Sequence, residues 1–156
     1  METVRIDASF DRYEELLSLI RASFAYMDGR IDPPSSAHAL TAASLNRKAR
    51  DEIAFAAVAG RDLLGCIFCK PEADCLYIGK LAVAPGFQGK GVGRMLIAAA
   101  EETARGLGLP ALRLQTRIEL TGNQAAFAAL GFVETARTAH PGFTRPTSVD
   151  MRKVLS

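Results

Sequence analysis

A glycine-rich segment in the middle of the chain carries the clearest chemical signal. Residues 81–94 read LAVAPGFQGKGVGR, which predicts a strand end, a short turn and the start of a helix. Gly89, Gly91 and Gly93 lack side chains, so a ligand could approach backbone N–H groups that stand at the positive end of that helix. Phosphate groups bind well at such a helix start, and the segment therefore predicts a site for a phosphate chain.

Two common phosphate-binding motifs do not fit this segment. A dinucleotide fingerprint, Gly-x-Gly-x-x-Gly, would need a third glycine at the position of Arg94. A P-loop would need Ser or Thr directly after Lys90, where Gly91 stands. The order that remains is Gln-x-x-Gly-x-Gly, formed by Gln88, Gly91 and Gly93. An ordinary glycine-rich turn between a strand and a helix is the structural alternative.

This order follows a strand that ends in Val-x-Pro, and it resembles the acetyl-CoA signature of the GCN5-related N-acetyltransferase (GNAT) superfamily. The resemblance implies acetyl-CoA as cofactor, with its pantetheine arm along a free strand edge and its pyrophosphate on the turn. It also implies transfer by direct attack of a primary amine, with backbone N–H near Val83 holding the developing negative charge. The residues that it assigns to cofactor binding are Leu81, Ala82, Val83, Gln88, Gly89, Lys90, Gly91, Val92, Gly93, Arg94, Asn123 and Phe127.

The chain departs from the family pattern at the two positions that commonly handle protons. Phe127 stands where many members have a tyrosine that protonates the departing thiolate, and phenylalanine has no proton to give. Tyr77 stands where some members have a glutamate base on the fourth strand. Regular strand alternation would place Tyr77 on the same face as Leu81 and Val83. A half-buried core aromatic is the structural alternative for Tyr77, and a helix N-cap is a second role for Asn123.

Polar residues in three other segments are candidates for the acceptor side. Glu119 and His140 are candidate bases, and Arg117 could bind a substrate carboxylate. Arg30 and Asp32 lie in the first interhelical loop, which covers the acceptor pocket in the family. Each of them could equally be an ordinary surface loop residue. The preferred acceptor is a small-molecule amine, with a protein amine or a non-catalytic acyl-CoA-binding module as alternatives.

Hydrophobic periodicity and turn residues predict an α/β (α+β) fold with the order β-α-α-β-β-β-α-β-α-β-β. The pattern predicts a mixed, mostly antiparallel twisted sheet flanked by helices, like the GNAT fold, in a single domain over residues 1–156. The strand at 75–83 should run parallel to the strand at 111–116, because a long helix connects them. The other predicted strands span 4–6, 53–58, 63–69, 132–138 and 148–155, and the predicted helices span 10–27, 37–47, 91–107 and 123–130.

Composition narrows the class of protein further. The 156 residues carry a net charge of +2 with no basic run, which gives no indication of nucleic-acid binding. No apolar run is long enough for a membrane span, and the N-terminus does not read as a signal peptide, so a cytoplasmic location is expected. Cys66 and Cys69 should point to opposite faces of one strand, so no metal site is expected. A homodimer is possible through the final strands.

Overall fold

The computed structural model describes residues 1–156, and its seven strands form one sheet. The sheet order is β1-β2-β3-β4-β5-β7-β6. None of the helices combines the length and the apolarity that crossing a membrane requires. The strands are β1 (Glu2–Arg5), β2 (Ile53–Ala59), β3 (Asp62–Pro71), β4 (Leu76–Val83), β5 (Ala111–Arg117), β6 (Val133–Thr138) and β7 (Ser148–Val154), and the helices are α1 (Tyr13–Phe24), α2 (Ala42–Asp51), α3 (Val92–Gly106) and α4 (Thr121–Ala129).

Strands β4 and β5 form the one parallel pair, and every other pair in the sheet is antiparallel. The pairing of β4 with β5 ends at Ile78 and Leu114, so both strands continue beyond that point without each other. Helix α3 connects them, as a parallel crossover requires. The predicted fold class and the predicted parallel pair are confirmed, and the separation of β4 from β5 creates a gap within the sheet.

The core lies on both faces of the sheet. Helix α3 covers one face through Leu96, Ile97 and Ala100, whereas α1 and α2 cover the other. Cys66 belongs to the core under α1 and α2, and Cys69 belongs to the core under α3. The two thiols therefore point to opposite faces, as strand alternation predicted.

All four predicted boundaries of the first two helices were wrong, and the second helix ends at Asp51 instead of residue 47. The second helix was expected to begin at Ala37, but Ser36–Ala39 form a short 3-10 turn and α2 begins only at Ala42. Thr41 starts α2 because its hydroxyl accepts from Ser44 N–H while Ser44 caps the Thr41 N–H in return. Helix α1 spans Tyr13–Phe24 and is shorter at both ends than the predicted helix over residues 10–27. At its C-terminal end a separate 3-10 turn covers Ala25–Met27.

Asn123 is not the N-cap that the sequence predicted. Helix α4 begins at Thr121, and the residue at its N-cap position is Leu120, which has no capping side chain. Asn123 therefore lies in the first turn, and its side-chain amide is free to bond outside the helix. No residue of α4 is fully buried, although Phe127 packs, partly buried, against the core under α3.

A β-bulge at Gly79 overturns the predicted orientation of Tyr77. Phe68 pairs with Lys80 and the next residue of β3 pairs with Ile78, which leaves Gly79 as an extra residue in β4. The alternation of side chains therefore shifts by one position at Gly79. Leu81 and Val83 pack against the α3 core, whereas Tyr77 and Lys80 lie on the α1 side of the strand.

Candidate functional site

A cleft of about 870 Å³ opens where β4 and β5 separate. The glycine-rich turn and the start of α3 line one end of it, and the segment between α1 and α2 lines the other. Helix α4 and the segment between β6 and β7 complete the wall through Phe127 and His140. The cleft therefore joins segments that are far apart in the chain, and it has a backbone-rich end and a side-chain-rich end.

The glycine-rich end presents unpaired backbone N–H groups. Gly91 has a left-handed conformation with φ of 86° and precedes α3 without any side-chain cap. The first bond of the helix runs from Met95 N–H to the Gly91 carbonyl at 3.0 Å, so the N–H groups of Val92, Gly93 and Arg94 have no partner in the helix. A Cβ atom placed on Gly89 or Gly91 would meet nothing within 4 Å. This end therefore has the donors and the space that a phosphate chain needs.

The edge of β4 that faces the gap carries a second set of backbone groups. Ala84 N–H bonds to the Leu64 carbonyl of β3 at 2.8 Å, so the alternate residues Leu81 and Val83 turn their N–H groups toward the gap. Val83 N–H donates to Ser23 Oγ at 3.3 Å, and Ser23 is 4% exposed. Ser23 was not predicted, although a serine on the apolar face of α1 is an unusual feature of that helix.

The structure brings most of the predicted cofactor-binding residues to the cleft. Three do not line it. The side chains of Ala82 and Val92 are buried in the core, and Lys90 is exposed, with its ammonium group 5.6 Å from the centre of the Phe87 ring. Their backbone groups remain part of β4 and the turn. The residues that line the cleft are Leu81, Val83, Gln88, Gly89, Gly91, Gly93, Arg94, Asn123 and Phe127.

Asn123 is bonded to a tyrosine that sequence reasoning missed. The Asn123 Nδ2 donates to the Tyr26 hydroxyl oxygen at 2.9 Å, and the Tyr26 hydroxyl lies within donating distance of Asn123 Oδ1, at 3.2 Å. Tyr26 belongs to the 3-10 turn after α1, and both residues line the cleft. Phe127 lies one helical turn after Asn123 on the same face of α4. The contact therefore brings a phenolic hydroxyl toward the helix face on which Phe127 stands.

His140 lies at the other end of the cleft and is held by Thr147. Thr147 Oγ1 accepts the His140 backbone N–H at 2.9 Å and also contacts the ring Nδ1, while Nε2 makes no hydrogen bond within the protein. Partial burial and the nearby charge of Arg117 lower the pKa of His140 below its ordinary value, and Glu119 opposes that shift. His140 is therefore neutral at physiological pH and has one ring nitrogen available.

Arg117 lines the cleft, but its guanidinium holds the loop before α2. It donates to the Pro33 carbonyl at 2.7 Å and to the Pro34 carbonyl at 3.1 Å. Burial lowers the pKa of Arg117, although an arginine remains charged throughout the physiological range. These bonds fix the wall of the cleft, and they occupy part of the donor capacity that was expected for a substrate carboxylate.

Three other predicted residues lie outside the cleft lining. The Glu119 carboxylate is exposed and accepts the Asp32 N–H at 3.2 Å. Asp32 is exposed as well, and its carboxylate pairs with Arg145 at 3.4 Å. Arg30 is exposed on the same loop and makes no side-chain contact with the cleft. No group of three or more His, Cys, Asp or Glu side chains is placed to hold a metal ion.

Tyr77 and Lys80 line the cleft from the α1 side of β4. Burial raises the pKa of Tyr77, and the Arg113 guanidinium lies 4.3 Å from the centre of its ring. Tyr77 is therefore protonated at neutral pH and can donate a hydrogen bond but cannot serve as a base. Lys80 was not predicted, because a single lysine within an apolar strand pattern gives no signal of a ligand.

The architecture defines a class of protein: a mixed sheet that opens between two parallel strands beside a glycine-rich helix start. The family model for the acetyltransferase (GNAT) family matches residues 13–132, and the chain belongs to that family. The matched region contains α1 through α4 and the glycine-rich turn. The predicted family resemblance is confirmed.

Solved structures agree with this assignment of the fold. The PaiA N-acetyltransferase of Thermoplasma acidophilum, in complex with coenzyme A, has a TM-score of 0.82 and 19% identity, over 99% of this chain and 100% of that chain. A GNAT family acetyltransferase from Elizabethkingia anophelis with acetyl-CoA bound has a TM-score of 0.68 and 17% identity, over 98% and 97%. A chain of the NatC complex bound to Gag peptide and CoA has a TM-score of 0.69 and 21% identity, over 100% of both chains. No curated protein sequence matches the chain significantly.

Proposed function

We propose that this protein is an acetyl-CoA-dependent N-acetyltransferase that acts on the primary amine of a small metabolite. One observation carries the proposal: the free edge of β4 leads directly to the unpaired N–H groups at the start of α3. Such a surface suits a ligand that has amide groups at one end and phosphates at the other. We also propose that residues 1–156 form a single catalytic domain.

Bound acetyl-CoA would supply the acetyl group as a thioester. Leu81 and Val83 would bond the amides of its pantetheine arm through their backbone groups. Gln88 through Arg94 would hold the pyrophosphate, with charge from Arg94 and Lys90. The Val83 N–H would stabilise negative charge on the thioester carbonyl oxygen, exchanging the 3.3 Å bond to Ser23 for a stronger one.

His140 is our proposed general base. When Thr147 Oγ1 donates to the Thr138 carbonyl, 3.5 Å away, it can accept from His140 Nδ1–H, which leaves the Nε2 lone pair free. Nε2 would then remove a proton from the attacking amine, directly or through a water molecule. The lowered pKa keeps the imidazole in its neutral form. Glu119 is a weaker candidate because it lies outside the cleft lining.

Tyr26 is our proposed hydrogen-bond donor to the departing thiolate. Phe127 cannot donate a proton, but the Tyr26 hydroxyl reaches the same helix face through Asn123. A hydrogen bond from the phenolic O–H to the sulfur can stabilise the negative charge of the thiolate as it leaves. The chain would thus take its phenolic group from the segment after α1 instead of from α4.

Two alternatives to this function are a different acceptor and a protein that binds acyl-CoA without catalysis. A peptide amine could replace the small metabolite, and the NatC neighbour bound to a peptide supports that reading at the level of the fold. A non-catalytic module would bind acyl-CoA at the glycine-rich turn without transferring the acyl group. The absence of a proton donor at Phe127 favours this alternative. The side-chain-rich end of the cleft, with a neutral His140, favours an enzyme.

Calorimetric titration with acetyl-CoA, followed by thiol release on panels of small amines and peptides, tests the proposal. Binding together with amine-dependent thiol release supports the enzyme, and the preferred panel distinguishes metabolites from peptides. Binding without thiol release on either panel would favour the non-catalytic module. No binding of acetyl-CoA would overturn the proposed function.

Location and assembly complete the proposal. We propose a cytoplasmic protein because its three cysteines, Cys66, Cys69 and Cys75, are buried free thiols. A homodimer stays a prediction, with β6 as the exposed edge strand that could pair with a second copy. Sedimentation of the purified chain would test that assembly.

A further inference from the structure

Lys80 is a cation in the cleft that neither the glycine-rich motif nor the proposed acid–base chemistry uses. It follows the Gly79 bulge, which turns its side chain toward α1. Its ammonium group lies 5.3 Å from the centre of the Phe24 ring. Lys80 lines the cleft beside Ser23 and Tyr77, on the side away from the unpaired N–H groups of α3.

Lys80 forms no ion pair within the protein. The lysines that form ion pairs are Lys48, with Glu52 at 2.8 Å, and Lys153, with Glu101 at 2.6 Å. Burial and the like charge of Lys48 lower the pKa of Lys80, whereas the Glu52 carboxylate, which is already paired with Lys48, opposes that shift. A partly buried ammonium group without a counter-ion is unfavourable, and an anionic ligand would relieve that cost.

The wall of the cleft contains no carboxylate at either end. Its charged side chains are Lys80, Arg94 and Arg117, together with the neutral His140. Arg94 stands at the phosphate end, and Arg117 bonds the Pro33 and Pro34 carbonyls. Lys80 is therefore the cation at the acceptor end that is free to bind a ligand.

The carboxylates of the loops around the acceptor end are occupied elsewhere. Asp28 contacts His38 at 2.8 Å, Asp32 pairs with Arg145, and Glu119 accepts a backbone N–H. All three are exposed and lie outside the cleft lining. A polycationic amine would thus find no counter-charge along the cleft and would meet the like charge of Lys80.

We infer that Lys80 binds an anionic group of the acceptor, so that the substrate is a primary amine that also carries a carboxylate or a phosphate. This inference rests on the proposed acetyl transfer for the role of the amine. Lys80 would hold the anion on the α1 side of β4, and the amine would extend toward His140 and the free edge of the strand. A compact ammonium group suits either anion as a point charge.

The test is calorimetric titration of the CoA-loaded protein with amino acids and aminoalkyl phosphates. Each compound is paired with the amide or alcohol that lacks its anionic group, and spermidine serves as the polycation. We expect at least one anionic compound to bind about tenfold or more tightly than the matched compound that lacks the anionic group. Lys80→Met should weaken the binding of that compound by about 10- to 100-fold, the range expected for a lost charge-assisted hydrogen bond. The two series distinguish carboxylate from phosphate.

Lys70→Met is the matched control, because Lys70 is exposed at the end of β3 and does not line the cleft. It should bind the panel like the unsubstituted protein, and Lys80→Arg should keep the preference for the anion. The inference would be overturned if compounds with and without the anionic group bound equally, or if spermidine bound best. Unchanged affinity for the anionic compound in Lys80→Met would overturn it as well.

Titration and thiol release separate this inference from the proposed function. An anion preference that depends on Lys80, without amine-dependent thiol release, would support the Lys80 site and contradict acetyl transfer. Thiol release with spermidine as the best acceptor and an unchanged KM in Lys80→Met would support acetyl transfer and overturn the Lys80 site.

Discussion

The two ends of the cleft are built in different ways. The donor end uses backbone N–H groups from one continuous segment, residues 81–94. The acceptor end uses side chains from four separate segments, represented by Pro33, Lys80, Arg117 and His140. Backbone groups can bind one shared ligand with little dependence on side-chain identity. Side chains from loops can change one at a time, so the acceptor can differ among proteins that share the donor end.

The largest expected effect tests the donor end alone. Gly91→Glu should weaken acetyl-CoA binding by about 100-fold or more, because a carboxylate would occupy the space beside the phosphate-binding N–H groups. Isothermal titration calorimetry measures the loss. Gly108→Glu is the matched control, since Gly108 also has a positive φ, 72°, with nothing within 4 Å, but lies beyond the other end of α3. Equal acetyl-CoA affinity in the two variants would show that the glycine-rich turn is not part of the acetyl-CoA site.

The next effect tests whether chemistry lies at the acceptor end. His140→Gln should lower kcat by about 100-fold and leave acetyl-CoA affinity unchanged, because proton removal is lost while the donor end is intact. In the unsubstituted protein, activity should fall only below the ordinary His pKa of 6.5, as the imidazole becomes protonated. A pH–rate profile measures both effects.

Glu119→Gln sharpens the assignment of the base. Glu119 raises the pKa of His140, so its neutralisation should move the acidic limb of the profile to lower pH while kcat is kept. Loss of activity in Glu119→Gln, together with a retained acidic limb in His140→Gln, would make Glu119 the base instead.

A smaller effect tests the boundary between the two ends. Tyr26→Phe should lower kcat by about tenfold without changing acetyl-CoA affinity, because the thiolate would lose its hydrogen-bond donor. Adding Phe127→Tyr to that variant should restore activity, since position 127 lies on the helix face that Asn123 presents to Tyr26. Steady-state kinetics of the single and double variants measure this. An unaltered kcat in Tyr26→Phe would show that the thiolate leaves without help from Tyr26.

The smallest effect concerns the shape of the acceptor end. Arg117→Met removes the two bonds to Pro33 and Pro34, so the loop before α2 should loosen and the acceptor KM should rise by about three- to tenfold. The KM for acetyl-CoA should stay constant. Arg105→Met, near the far end of α3, is the control for loss of an arginine charge. A parallel rise of both KM values would mean that the two ends of the cleft are coupled.

Much of the fold was predictable because its signals are local. Alternating strands, the hairpin between β2 and β3 and the long amphipathic α3 each depend on neighbouring residues. The start of α2 was missed because Ser35 and Thr41 are both plausible caps, and only the structure shows that Thr41 forms the full capping box. The bulge at Gly79 was missed because strand alternation assumes one residue for one partner.

The sequence by itself determined the donor end, since its geometry comes from a few contiguous glycines and the helix that follows them. The tertiary structure decided the acceptor end, since its members are far apart in the chain and ordinary in type. Asn123 meets Tyr26, Arg117 meets the Pro33 segment, and Lys80 turns into the cleft only because of the bulge beside it. A local backbone conformation can be read from adjacent residues, whereas convergence of distant side chains exists only after the sheet has formed.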